Sequence, residues 1–176
     1  MSASSADPAA RFTTVYEESY GAIHAYAVRR VGAQMADEIT AETFLVAWRR
    51  LDALPSEPLP WLYGIARNMV ARQHTAAHRR ALTEAGLTHE RPRPDPIVGE
   101  SNDPALWEAW QRLRPADREV LSLVAWEELP VADAARVIGC PAAVFSVRLH
   151  RARRRMEQLL SRAHAQPIPS TGLSEA

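Results

Sequence analysis

The chain has 176 residues, of which 47% are hydrophobic and 24% charged, and its 21 basic and 21 acidic residues give a formal net charge of zero. This composition is typical of a soluble globular protein with one domain or two small ones, and the zero net charge argues against a protein that coats DNA non-specifically. The single cysteine, Cys140, excludes a disulfide framework or a thiolate metal site within the chain. The N-terminus lacks the pattern of a signal peptide and no apolar run reaches membrane-spanning length, so we expect a cytoplasmic protein with no membrane contact.

The first part of the chain predicts two amphipathic helices. A long first helix ends at Gly32, and its apolar positions recur at helical spacing. They are Phe12, Val15, Tyr16, Ser19, Ile23, Tyr26, Ala27 and Val31. The second helix is predicted to begin near Asp37, with acidic residues in its first turn. Its packing face comprises Ala36, Thr40, Thr43, Phe44, Ala47, Trp48 and Leu51, and its other side presents Glu38, Glu42, Leu45 and Arg49.

A third helix is predicted to follow, with Pro60 in its first turn. Its inward positions are Leu62, Ile65, Ala66, Met69, Val70 and Gln73, and its other flank carries Arg67, Asn68, Ala71, Arg72, Thr75 and Arg79. His74 and His78 have the i, i+4 spacing of a helical metal pair, but neither a carboxylate nor a third histidine lies near them in sequence. We therefore predict no metal site and no cofactor.

The tract 82–103 divides the chain into two predicted domains. It contains two arginines against five acidic residues and alternating prolines around Pro94, a composition that favours a flexible acidic linker. No segment alternates with a period of two, so the prediction is an all-α fold of two small helical domains. Their predicted limits are 10–81 and 104–163, followed by a disordered tail at 164–176.

The most informative segment is the stretch 139–156, where Gly139 and Pro141 separate two short apolar-periodic segments. A glycine-bearing turn followed by an arginine-rich helix is typical of a helix-turn-helix that enters the major groove of DNA. Helical spacing places Phe145, Leu149, Ala152, Met156 and Leu159 on one side of the second helix. The opposite side carries Val144, Val147, Arg151 and Arg154, with Arg148 and Arg155 along one edge.

Three segments in order resemble the extracytoplasmic-function (ECF) sigma factors of the sigma-70 class, which serve bacterial RNA polymerase. They are Ala36–Trp48 (ADEITAETFLVAW), Pro60–Asn68 (PWLYGIARN) and the helix-turn-helix. The resemblance covers about 10–163 and implies a protein that binds core RNA polymerase, directs it to a promoter and helps to open the DNA. It implies no enzymatic activity and no catalytic residue. It also allows an anti-sigma factor as a further partner.

The resemblance assigns roles to residues in each segment. The outer side of the second helix matches the surface for the clamp helices of the largest polymerase subunit, which implies contacts by Asp37, Glu38, Glu42, Leu45 and Arg49. The third helix matches the segment that reads the minus-10 element as single-stranded DNA. Its candidates are Arg67, Arg72, Arg79 and Arg80 for phosphates and Asn68 for a base edge.

The helix-turn-helix matches the minus-35 reader but departs from the family pattern. A Thr, a Lys and a Ser are common where this chain has Val144, Ser146 and Val147. Valine cannot donate a hydrogen bond, although its methyl groups can pack on a thymine methyl. The resemblance implies phosphate contacts by Arg148, Arg151, Arg154 and Arg155. The valines therefore predict either a T-rich minus-35 element or weak reading of DNA by this domain.

Two other functions remain open at this point. A transcriptional regulator that binds duplex DNA without polymerase would explain the helix-turn-helix but not the two N-terminal segments. A sigma-like interaction module that titrates an anti-sigma factor is favoured slightly by the two outward valines.

Overall fold

The computed structural model of the chain describes residues 7–84 and 103–165, which form seven α-helices and a short 3-10 turn at Leu51–Ala53. The N-terminal domain contains the first three helices and the C-terminal domain the other four. Their bounds are α1 Pro8–Val31, α2 Ala33–Arg49, α3 Pro58–Glu84, α4 Pro104–Arg112, α5 Pro115–Ala125, α6 Val131–Ile138 and α7 Ala142–Ala165. The described residues contain no strand, so the all-α prediction is confirmed.

Aspartate followed by proline begins a helix in both domains. The side chain of Asp7 accepts a hydrogen bond from the backbone N–H of Ala9 at 3.1 Å, and Asp103 accepts one from Ala105 at 2.9 Å. Each cap satisfies a donor that would otherwise lack an intrahelical partner, and the proline ring preorganises the first turn. The sequence therefore fixes where α1 and α4 begin.

Two glycines with positive φ end helices at the points where the chain changes direction. Gly32 has φ 78° and joins α1 directly to α2, and Gly139 has φ 77° in the left-handed region and ends α6. The N–H of Gly139 donates to the carbonyl of Ala135 at 2.9 Å. Left-handed backbone at a helix end favours glycine, which here produces the predicted turn between α6 and α7.

Both domains have close-packed apolar cores. In the N-terminal domain, Ile23, Ile39 and Leu62 bring α1, α2 and α3 together and are fully buried. In the C-terminal domain, Leu123 of α5 and Phe145 of α7 are fully buried, and α4, α5 and α6 each pack against α7. This packing leaves one side of α2 and one side of α7 facing outward.

Several predicted boundaries and burial assignments need correction. Helix α2 begins at Ala33, because the Gly32 turn leads straight into it, and its first turn contains no acidic residue. Helix α3 continues to Glu84, whereas the rest of the predicted linker, 85–102, lies outside the described residues, as does the tail 166–176. Tyr16 and Trp48, which were predicted to pack inside, are 40% and 47% exposed because they lie at the rim of the α1–α2 groove.

Candidate polymerase and DNA interfaces

The outer side of α2 presents an exposed leucine within a charged rim. Leu45 is 47% exposed, and Glu38, Glu42 and Arg49 on the same side are also exposed. At about 100° per residue these four side chains fall within one narrow sector of the helix. Asp37 is also exposed but turns toward α1, where it pairs with the Nε2 atom of His24 at 3.1 Å. The structure therefore brings four of the five predicted residues together and places the fifth at their border.

Exposed aromatic rings lie beside this face, and the sequence prediction missed them. Trp48 meets Phe12 edge to face with ring centroids 5.0 Å apart, and Tyr16 meets Phe44 at 4.7 Å. Tyr20 is 37% exposed and extends the row along α1. Their i, i+4 spacing on α1 was visible in the sequence, but that spacing alone does not distinguish a buried position from a rim position. The result is an aromatic border next to the exposed leucine.

The predicted minus-10 residues lie on two sides of α3. Asn68, Arg72 and Arg79 are exposed and share one strip of the helix, with Arg80 exposed beside it. Arg67 lies away from that strip and faces the C-terminal domain, where its Nε atom is 3.8 Å from a carboxylate oxygen of Glu119. An exposed polar strip is suited to contacts along a single DNA strand. Arg67 is less available for such a contact because it is already next to Glu119.

The outward side of α7 has the composition that the sequence predicted. Phe145, Leu149 and Ala152 are buried, whereas Val144 and Val147 are 42% and 50% exposed. The side chains of Arg148, Arg151 and Arg154 are exposed on the same outward side or its edge. This face can therefore offer apolar contact and positive charge together.

Two of the predicted minus-35 residues are engaged within the protein. Ser146 lies off the valine face, and its hydroxyl donates to the carbonyl of Ala142 at 3.0 Å, which leaves its oxygen free only to accept. Arg155 is half-buried and pairs with Asp117 of α5. A cleft of about 440 Å³ adjoins this pair and is lined partly by Arg67, Arg114, Arg148 and Arg151.

The structure also reveals a buried ion cluster between the two domains, which the sequence prediction missed. Glu127 follows α5, and its side chain has no exposed surface; Arg29 and Arg30 at the end of α1 pair with it, the latter at 2.9 Å. Glu119 accepts hydrogen bonds from Tyr26 Oη at 3.2 Å and from Arg30 Nε at 3.1 Å. The guanidinium of Arg30 also stacks on the Tyr26 ring, 3.5 Å from its centroid.

The ionisable groups around this cluster have shifted pKa values. Burial raises the pKa of Tyr26 well above its usual range and that of Tyr63 to about 12. Burial acts to lower the pKa of Arg30, but the adjacent Tyr26, Glu119 and Glu127 outweigh it and raise the pKa. Burial also lowers the pKa of His74 on α3, which favours its neutral form.

Neither a metal centre nor a membrane span appears in the described part of the chain. Within residues 7–84 and 103–165, no group of three or more His, Cys, Asp or Glu side chains could hold a metal ion. The side chain of His78 lies outside the described residues, so the His74–His78 pair is not seen as such. No helix in these ranges is long and apolar enough to cross a bilayer.

Comparison with known proteins identifies the family. The Sigma-70 region 2 family matches residues 15–80, and the Sigma-70 region 4 family matches residues 104–156. The ECF RNA polymerase sigma factor SigC of Mycobacterium tuberculosis is 33% identical over 149 residues, which cover 78% of this chain and 74% of SigC. The chain belongs to the ECF sigma factors. It is thus a transcription initiation factor and not an enzyme, and the sequence-based family resemblance is confirmed.

Two further relatives define the extent of the similarity. The ECF sigma factor BldN of Streptomyces coelicolor is 30% identical over 158 residues, which cover 85% of this chain but only 60% of BldN. The structure of the sigma factor RpoE from Bartonella quintana, solved in complex with the anti-sigma factor NepR, aligns with a TM-score of 0.67 at 24% identity. That alignment covers 86% of this chain and 97% of RpoE, and it supports the fold of this ECF sigma factor.

Proposed function

We propose that this ECF sigma factor binds core RNA polymerase in the cytoplasm, directs it to promoters with specific minus-10 and minus-35 elements, and helps to open the DNA. The observation that carries the proposal is the presence of regions 2 and 4 on one chain. A regulator that needs only duplex DNA would have no use for region 2, whose acidic helix α2 presents an exposed leucine to a partner.

The polymerase contact is proposed for the outer side of α2. Leu45 supplies apolar contact, and Glu38, Glu42 and Arg49 supply a charged rim. In a partner that must be exchanged at each round of initiation, a charged rim raises the association rate and the specificity, while the apolar centre supplies affinity. Asp37, paired with His24, borders this contact on the α1 side.

The DNA contacts are proposed for α3 and α7. On α3, Asn68 would bond a base edge of the open minus-10 strand, and the nearby arginines Arg67, Arg72, Arg79 and Arg80 would follow its phosphates. On α7, Val144 and Val147 would pack on thymine methyl groups of the minus-35 element. Phosphates would then be bound by Arg148, Arg151, Arg154 and Arg155, and Ser146 could contribute an acceptor.

The domain limits and the further partner are also part of the proposal. The N-terminal domain would extend to the end of α3 at Glu84, and the C-terminal domain would begin with the Asp103 cap of α4 and end with α7 at Ala165. An anti-sigma factor is proposed as a regulator because the similar RpoE structure was solved with one bound.

Two measurements test this function against its alternatives. The chain should co-elute with core RNA polymerase in size-exclusion chromatography, which a polymerase-independent regulator would not do. The reconstituted complex should then produce discrete run-off transcripts, which a decoy that only titrates an anti-sigma factor would fail to produce. Co-elution without transcripts would favour the decoy. Absence of both co-elution and transcripts, from a chain that keeps its helical circular-dichroism signal, would refute the proposal.

A further inference from the structure

We infer that a cleft between α5 and α7 binds the polyphosphate group of a small molecule, and that a nucleoside polyphosphate is the ligand that fits it best. The cleft lies on the C-terminal domain, apart from the face of α2 proposed for polymerase. Its effect on DNA binding rests on the proposed function, whereas ligand binding to the free chain does not.

Positive charge converges on this cleft from separate parts of the chain. The cleft has a volume of about 440 Å³, and five arginines and two carboxylates line it, a formal excess of three positive charges. The whole chain has no net charge, so this excess is local. A cleft lined mainly by one sign of charge concentrates ligands of the opposite sign. The arginines are Arg67 on α3, Arg114 before α5, and Arg148, Arg151 and Arg155 on α7.

The two carboxylates do not neutralise all of these arginines. Asp117 pairs with Arg155, and Glu119 accepts a hydrogen bond at 3.1 Å from Arg30, which does not line the cleft. Across the residues that the structure describes, three arginine side chains at the cleft have neither a hydrogen bond nor an ion pair. They are Arg114, Arg148 and Arg151. Their guanidinium groups therefore have donors available for an anion.

The arrangement of the arginines favours a compact anion over a DNA strand. Successive phosphates of DNA are separated by a sugar, whereas those of a polyphosphate share an oxygen and place several charges in one small volume. Each guanidinium fork can bind two phosphate oxygens. Three unpaired arginines around one cleft therefore suit a polyphosphate. Arg67 and Arg114 also lie off α7, the helix that would enter the major groove.

An apolar floor favours a nucleotide as the carrier of the polyphosphate. Ala116, Val120 and Ile138 line the cleft together with the arginines. Small-ligand sites combine apolar walls with a few polar groups and have volumes of about 300–1,000 Å³. A nucleobase would pack on the apolar residues while its phosphates bind the arginines.

The site does not depend on how the two domains are arranged. Four of its five arginines lie in the C-terminal domain, and only Arg67 comes from α3. Arg148 and Arg151 are also proposed to bind minus-35 phosphates. A nucleotide at these guanidinium groups would exclude DNA phosphates from them, so promoter binding would fall as the nucleotide concentration rises.

Binding of mant-GTP, a fluorescent nucleotide, to the free chain at physiological ionic strength tests the site. We expect saturable binding, displacement by unlabelled GTP and no displacement by guanosine, which lacks phosphates. Tripolyphosphate should also displace the probe, because the arginines bind the phosphates. Weaker displacement by tripolyphosphate than by GTP would identify a nucleotide as the ligand. Equal displacement would identify inorganic polyphosphate and overturn the role of the apolar floor.

Arg114→Gln is the decisive variant, because Arg114 has no other proposed role. Its side chain does not cap α5, and its backbone carbonyl, which the substitution keeps, accepts from the N–H groups of Asp117 and Arg118, so the fold should be unchanged. The variant should bind mant-GTP about tenfold more weakly, since it loses a hydrogen bond to a charged group. Arg153→Gln removes the same charge from an exposed arginine of α7 outside the cleft and should bind like wild type.

The effect on DNA is tested with the holoenzyme. Its binding to a labelled promoter duplex is titrated with GTP at constant ionic strength, and the Arg114→Gln holoenzyme should need about tenfold more GTP for the same loss of binding. Equal sensitivity of the variant and the wild type would refute competition at this cleft.

The outcomes separate this inference from the proposed function. Absence of saturable mant-GTP binding, or an equal loss of affinity in Arg114→Gln and Arg153→Gln, would overturn the inference, because only diffuse surface charge would remain. Failure of the wild type to form a holoenzyme that binds promoters would instead overturn the proposed function, since mant-GTP binding to the free chain does not require polymerase.

Discussion

Replacement of Leu45 by aspartate should weaken core polymerase binding strongly while leaving the fold intact. Leu45 is 47% exposed, so about half of the stabilisation of 1.5–3 kcal/mol for a fully buried leucine remains available to a partner, or about 1 kcal/mol. An aspartate at the same point would add an unpaired polar group to the contact, at a cost of about 1–2 kcal/mol. Together these effects predict a loss of about 2–3 kcal/mol, or about 30- to 150-fold in Kd.

The same substitution should change the stability of the free protein little. Leu45 lies opposite the buried Ile39 and Thr43, and an exposed leucine-to-aspartate change in a helix costs about 0.5 kcal/mol through helix propensity. The assay is fluorescence anisotropy of N-terminally labelled protein titrated with core polymerase, with a urea titration by circular dichroism in parallel. Leu45→Met retains the size and polarity class of the side chain and should bind within about twofold of wild type.

If the Leu45→Asp variant bound core polymerase with wild-type affinity, the outer side of α2 would be excluded as part of the polymerase interface. A loss of helicity equal to the loss of binding would instead make Leu45 a structural residue and refute the face assignment.

Three other substitutions, together with one buried control, test further parts of the structure. Val147→Ser should alter the minus-35 bases that the holoenzyme selects from randomised promoters and should lower the free energy of unfolding by less than about 0.5 kcal/mol in a urea titration. Val137→Ser, at a position only 4% exposed, should lower it by about 1–3 kcal/mol. Unchanged base selection by Val147→Ser would contradict the assignment of Val147 to the minus-35 contact. If Arg151 contacts a phosphate, Arg151→Ala should weaken holoenzyme binding to all promoters about equally and should reduce the slope of log K against log salt concentration by about one. An unchanged slope would exclude that contact. Because burial lowers the folded-state pKa of His74, the unfolded chain takes up the proton more readily, so stability should fall as the pH drops below about 6.5 toward that lower pKa. His74→Gln should flatten this part of the profile in urea titrations, and an unchanged profile would show that His74 does not cause it.

Local patterns predicted most of the fold because local physics determines it. The Gly139 turn, the buried Phe145 and Leu149, and the exposed Val144 and Val147 all follow from helical spacing and a glycine with positive φ. The backbone conformation or the burial of each of these residues depends on neighbours only a few positions away in the sequence. Helical spacing likewise predicted that Leu45 lies on the exposed side of α2.

Long-range contacts between the domains could not be predicted in this way. Arg30 and Glu127 are separated by 97 residues, and Arg67 and Glu119 lie on helices from different domains. No sequence periodicity relates these residues, because their contacts form only when the two domains pack against each other. The exposed Trp48 was assigned incorrectly for a related reason, since only the packing of α1 on α2 decides which edge of an apolar stripe stays open.

The most direct test of the account is run-off transcription with bacterial core polymerase and this protein on a library of genomic fragments, followed by mapping of the start sites. Discrete start sites should depend on the added protein, share a minus-10 and a minus-35 element upstream, and disappear with the Leu45→Asp variant. Transcripts that are the same with and without the protein, or start sites with no shared upstream elements, would contradict it.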